Sequence, residues 1–125
     1  MENIIFLTCL LIGIHIICPM FIGLFFSKEI NLDYLFSSRD IKIKPPLYYE
    51  RAKRSFLNLY ETFPIFIILV LFSMIKNVDN FDLSLIWLIL RYLYIPVYIF
   101  GIKYLRTVVW GLSFITLILM AIKFL

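Results

Sequence analysis

Residues 50–64 read ERAKRSFLNLYETFP and run without a break into the apolar segment 65–75, IFIILVLFSMI. Glu50, Arg51, Lys53 and Arg54 come first, then Asn58 and Glu61. A helix that merely enters a bilayer has no need of so many ionisable groups. On a helix, Arg54, Asn58 and Glu61 fall at i, i+4 and i+7 and share one face, with Arg51 a turn earlier on the same side. A cation, an amide that both donates and accepts, and a carboxyl then form a ladder at the mouth of a buried segment. Such a ladder suits a zwitterionic ligand that brings carboxylates to the arginine and an ammonium to the glutamate. The competing account is an intrabundle network, with Glu61 paired to an arginine of a neighbouring helix and no ligand.

Composition sets the class around this stretch. Hydrophobic residues make up 63% of the chain and aromatic residues 18%, and the mean hydropathy is +0.99, which excludes an ordinary soluble domain. The 125 residues hold four spans of roughly 20 residues with short connections and no separate soluble domain. The sequence therefore predicts an all-α, integral membrane four-helix bundle, a single domain over 1–125 with spans at about 3–26, 50–75, 83–100 and 105–124.

The first span opens Met1-Glu2-Asn3 and stays apolar too long for a signal peptide, so a retained helix is expected. Cys9 and Cys18 fall on nearly opposite sides of it and cannot bridge each other. His15, the single histidine, has no partner for a metal site, and a helix-to-helix hydrogen bond is its expected role. The connection 27–49 is polar and closes with Pro45-Pro46, which bars helix there. Pro64 frees the carbonyl of Tyr60 inside the second span, beside Glu61. A short Asn- and Asp-rich turn at 76–82 joins antiparallel neighbours. The third span carries Arg91, with Tyr94 and Tyr98 at i+3 and i+7. An arginine so deep needs an anion or a wet cleft, and Glu61 is the carboxyl available within a span. After a tight turn at 101–104, Arg106-Thr107 opens the last span, and Trp110 sits where an interfacial belt would place it.

Lys28, Arg39, Lys42, Lys44, Arg51, Lys53 and Arg54 flank the first connection, and Lys103 and Arg106 flank the third. The other side has Lys76 and Lys123. The positive-inside rule puts both basic connections, 27–49 included, in the cytoplasm and both termini outside. The net charge of +4 is accounted for by this asymmetry and by anionic headgroups, without a nucleic-acid partner. A phosphate-cradling glycine loop, a nucleophile elbow and internal repeats are all absent from the sequence.

The pattern Glu50-Arg51-x-x-Arg54-x-x-x-Asn58-x-x-Glu61-x-x-Pro64, then Arg91-x-x-Tyr94-x-x-x-Tyr98, then Arg106-Thr107, resembles the MAPEG family, the membrane-associated proteins in eicosanoid and glutathione metabolism. The likeness covers all four spans in order. The brevity of the chain and its compact third turn look most like the bacterial branch, which implies an inner-membrane location.

The resemblance implies a homotrimer of four-helix subunits with glutathione, as co-substrate, in a cleft between neighbours near the cytoplasmic face. By the same resemblance Arg51, Arg54, Asn58, Glu61, Arg91, Tyr94, Tyr98 and Thr107 bind glutathione, and Arg106 stabilises its thiolate as the catalytic residue. No metal is implied. The activity implied is that of a glutathione-dependent transferase or peroxidase acting on lipophilic electrophiles that arrive from the bilayer. The alternative within the family is a non-catalytic lipid-binding or scaffold protein. A small drug exporter fits less well, because such proteins carry an essential carboxylate in the first span, and the interior of this one has none.

Overall fold

Apolar side chains of the first segment can be buried in only two ways, against other helices or against lipid. The chain uses both. A computed structural model describes residues 1–125 as five helices. They are α1 (Glu2–Phe26), α2 (Leu32–Phe36), α3 (Leu47–Lys76), α4 (Phe81–Phe100) and α5 (Lys103–Ile122). All but α2 are long and apolar enough to cross a membrane. The fold is an all-helical bundle of four long antiparallel helices, with no strands.

Each long helix commits a narrow stripe to the interior. On α1 the stripe is Ile4, Thr8, Leu11, His15, Pro19 and Gly23, steps of three and four residues along one face. Ile4 and Leu11 of this stripe share one core with Leu59, Phe66 and Val70 of α3, Trp87, Leu88 and Ile95 of α4, and Leu117 and Met120 of α5, α1 packing on α3 and α4. The Phe66 and Trp87 rings lie face to face with centroids 3.8 Å apart. The remaining apolar surface points outward, as Phe25 at 80% exposure shows. In water such a surface would drive aggregation; in a bilayer it is the correct solvent-facing side.

Helix ends follow local chemistry. Pro46 is the N-cap of α3, a position where the missing N–H costs nothing, so the helix starts at Leu47, earlier than the anticipated span at 50. At 1.5 Å per residue its 30 residues run about 45 Å, against a hydrocarbon core of about 30 Å, so its charged first turns stand outside the apolar layer. The helix continues through Pro64. It ends at Asn77, in the left-handed region at φ 53°, with the amide of Val78 bonded back to Ser73 O at 3.0 Å. The connection 27–46 is not wholly irregular, because Asn31 caps α2 by accepting from the Tyr34 amide at 2.8 Å.

The far end of the bundle is tied by one buried amide. Asn80 donates to Ser73 Oγ at 2.9 Å and to Met120 O at 3.3 Å. Lys123 adds a bond from its ammonium to Asp79 O at 2.6 Å. These contacts fix the α3–α4 turn against the end of α5 and leave the opposite end, where α3 and α5 begin and α4 finishes, to carry the polar groups.

Candidate functional site

Three helix ends meet at that polar end. The first turns of α3 supply Arg51 and Arg54, the last turns of α4 supply Tyr94 and Tyr98, and the first turn of α5 supplies Arg106 and Thr107. The connection between α4 and α5 is only Gly101-Ile102, so the start of α5 cannot stray from the end of α4. Gly101 has φ 73°, the left-handed conformation that glycine adopts without a Cβ penalty.

A cavity of about 500 Å³ opens here. Its cationic lining is Arg51, Arg54, Lys103 and Arg106, its hydroxyls come from Tyr98, Tyr104 and Thr107, and it has no carboxyl in its wall. Beside it lies a smaller cavity of about 250 Å³ walled by Asn58, Tyr94, Tyr98, Arg106, Thr107 and Trp110. Tyr98, Arg106 and Thr107 belong to both and form the threshold between them. The Arg106 guanidinium stands 5.0 Å from the centroid of the Tyr98 ring, whose negative face attracts it. Tyr98 is in turn packed on Tyr94 at 5.4 Å between centroids. Arg54 is exposed and bonds loosely within its own helix, Nε to Glu50 O at 3.4 Å, so its charge is free to meet a ligand.

Beneath the cavities sits a second polar layer. Arg91 is only 1% exposed and lines neither cavity. Its Nη1 donates to Asn58 Oδ1 at 3.0 Å and its Nη2 to Thr62 Oγ1 at 2.6 Å. The rings of Trp87 and Tyr94 flank it at 5.4 and 5.6 Å. A guanidinium has donors alone, so Asn58 must turn its oxygen toward Arg91 and its NH2 group outward. That NH2 group donates to Glu61 Oε2 at 3.4 Å. The link between Arg91 and Glu61 thus runs through the Asn58 amide, in place of the direct ion pair that the sequence offered as the ligand-free account.

The candidate residues therefore fall into four places. Arg51, Arg54, Tyr98, Arg106 and Thr107 line the larger cavity, Asn58 and Tyr94 the smaller. Arg91 lies buried under them, and Glu61 stands exposed on the outer side of α3, outside both walls. Sequence reasoning passed over Thr62, Lys103 and Tyr104. Thr62 was visible in principle, one turn beyond Asn58 on the same face. His15 differs from its anticipated role. It is 2% exposed, its Nε2 has no hydrogen-bond partner, and its ring rests 5.9 Å from that of Phe56, because its stripe on α1 faces an aromatic neighbour.

Neither a curated protein nor a solved structure matches the chain. The model of the MAPEG family matches residues 4–125, essentially the whole length.

Proposed function

The chain belongs to the MAPEG family, and on that premise we propose that it is a membrane-bound, glutathione-dependent transferase or peroxidase whose thiolate is stabilised by Arg106. Family membership and four apolar helices make it an integral membrane protein. Members of the family generally use glutathione and are generally trimeric. The observation that carries the specific reading is the threshold of Tyr98, Arg106 and Thr107 between a cavity with four cationic side chains and a smaller one whose single cation is Arg106.

The lining fits the co-substrate by charge. Glutathione brings two carboxylates, and the larger wall offers the cationic side chains of Arg54, Lys103 and Arg106, with Arg51 beside them bonded to the Ile99 carbonyl, and no competing acid. Asn58, Tyr94 and Tyr98 supply neutral hydrogen-bonding groups at the smaller cavity. Glu61, held by the Asn58 amide, is the acceptor for the ammonium, and Arg91 fixes that amide from below. In the assembled homotrimer the cleft is completed by a neighbouring subunit.

The chemistry is activation of a weak nucleophile. A thiol of ordinary pKa, about 8.5, is a few per cent ionised at neutral pH, and lowering it by about one unit raises the thiolate population roughly tenfold. A guanidinium is suited to this because it keeps its proton. The thiol proton passes to solvent, the sulfur bonds to the electrophilic carbon, and the electron pair of the broken bond departs with the leaving atom. The electrophile is lipophilic and enters from the bilayer. The basic end of the bundle faces the cytoplasm of a bacterial inner membrane, with both termini outside, as the placement of lysines and arginines supports.

The test is the ultraviolet absorbance of bound glutathione on the purified protein. Wild type should show a thiolate band at neutral pH, and Arg106→Ala should abolish it while the fold is retained. A wild-type protein that binds lipid and gives no thiolate band would favour the non-catalytic scaffold reading. One observation leans that way: both terminal nitrogens of Arg91 are already bonded inside the chain, to Asn58 and Thr62, and only its Nε lacks a partner.

A further inference from the structure

The turn that carries Arg106 is held from the side by a residue far away in sequence. At the end of α4 the carbonyls of Val97 and Tyr98 are taken by the amides of Ile102, at 3.2 Å, and Gly101, at 3.1 Å. The next carbonyl, that of Ile99, has no continuing helix to bond to, and Arg51 Nη1 of α3 donates to it at 3.1 Å. A cation at that point also meets the negative end of the α4 dipole.

The same guanidinium lies directly over Gly101. A Cβ at position 101 would fall 2.7 Å from Arg51 Cζ and Nη1 and 2.8 Å from Nη2. Gly101 is therefore fixed twice, by its positive φ and by the flat group seated against it. From this turn α5 starts at once, with the Arg106 amide bonded to Ile102 O at 3.0 Å. A shift of the turn is consequently a shift of Arg106 relative to Tyr98.

We propose that Arg51 and Gly101 form a latch that locks the α4–α5 turn to α3, and that Arg51 is a positioning residue which sets Arg106 rather than a direct ligand of glutathione. The claim about the catalytic site rests on the thiolate reading above; the claim about the turn stands without it. The latch also accounts for a residue that lines the cationic cavity yet turns one guanidinium nitrogen to a backbone carbonyl.

Two variants separate latch from ligand. Arg51→Gln removes the cation but keeps a donor, while Gly101→Ala removes no charge from the chain and displaces the Arg51 guanidinium from its seat. In hydrogen exchange of the detergent-solubilised protein without glutathione, both variants should speed exchange at the Gly101 and Ile102 amides by about tenfold. Unchanged exchange in both overturns the latch, whatever the protein binds. At saturating glutathione, both should then raise the pH midpoint of the thiolate band toward that of the free thiol, with Arg51→Lys intermediate. A direct ligand predicts the opposite split: weaker glutathione binding in Arg51→Gln with the midpoint unmoved at saturation. A wild type with no thiolate band but with latch-dependent exchange sinks the catalytic reading and leaves the latch standing.

Discussion

Thr62 is a small side chain on which a large cost rests. Its hydroxyl accepts from Arg91 Nη2 at 2.6 Å while being itself 4% exposed, so removing it leaves a buried guanidinium arm facing apolar surroundings. Thr62→Val, which keeps the shape, should lower stability by about 1 to 2 kcal/mol, the upper end of what interhelical bonds in membranes return. Thr62→Ser should recover most of it. Urea or thermal unfolding in detergent, followed by circular dichroism, checks both; equal stability of the valine variant would show that Arg91 draws on Asn58 alone. That Arg91 needs a polar partner was legible from the sequence, because a cation in an apolar span must find one. Which partner was not. Glu61 and Thr62 are adjacent, so they point about 100° apart on the helix, and the rotation of α3 decides between them. In a soluble helix the apolar stripe would fix that rotation. Here the lipid-facing side is as apolar as the core, and the signal is lost.

At the scale of elements, boundaries were the most readable feature, since they are written in residues with special backbones. Pro45-Pro46 and Gly101 mark where α3 begins and α4 ends, and the charged first turns of α3 mark the membrane mouth. The short helix α2, five residues long, carries no periodicity to detect. Contacts across elements were not readable either, Arg51 with Ile99 and Asn80 with Met120 being examples, because they join positions 48 and 40 residues apart. Asn80 gives the element-scale prediction. Its amide bonds both Ser73 of α3 and the Met120 carbonyl of α5 from a fully buried site. Asn80→Leu should destabilise by about 1 to 3 kcal/mol, because Ser73 Oγ loses its donor while keeping its own bond to Leu69 O, and the turn loses its tie to Met120 O. The loss should appear first as faster hydrogen exchange in the last turn of α5 and in the α3–α4 turn, with the polar end of the bundle protected as before. Uniform loosening at both ends would mean that the tie does not act locally.

For the whole molecule, the decisive feature is a charged group on the wrong surface. Glu61 is exposed on the outer side of α3, seven residues beyond Arg54, which at 1.5 Å per residue places it about 10 Å deeper. A lone subunit would turn that side chain to hydrocarbon, at a cost of about 2.5 to 3.5 kcal/mol on insertion scales. Away from their ends, the outward faces of α1 and α5 offer lipid apolar groups such as Phe21, Ile115 and Leu119, whereas α3 carries Glu61. Covering α3 with another copy of the chain removes it, and three copies arranged around their α3 helices would do so for every subunit by symmetry. We therefore expect native mass spectrometry of the protein released from mild detergent to give three chains. Tyr60→Cys, which sits exposed beside Glu61, should form interchain disulfides under mild oxidation, whereas Ile118→Cys on the outward face of α5 should not. A monomer in both detergent and nanodiscs would leave Glu61 in lipid, and the shared cleft proposed for glutathione would have no second wall.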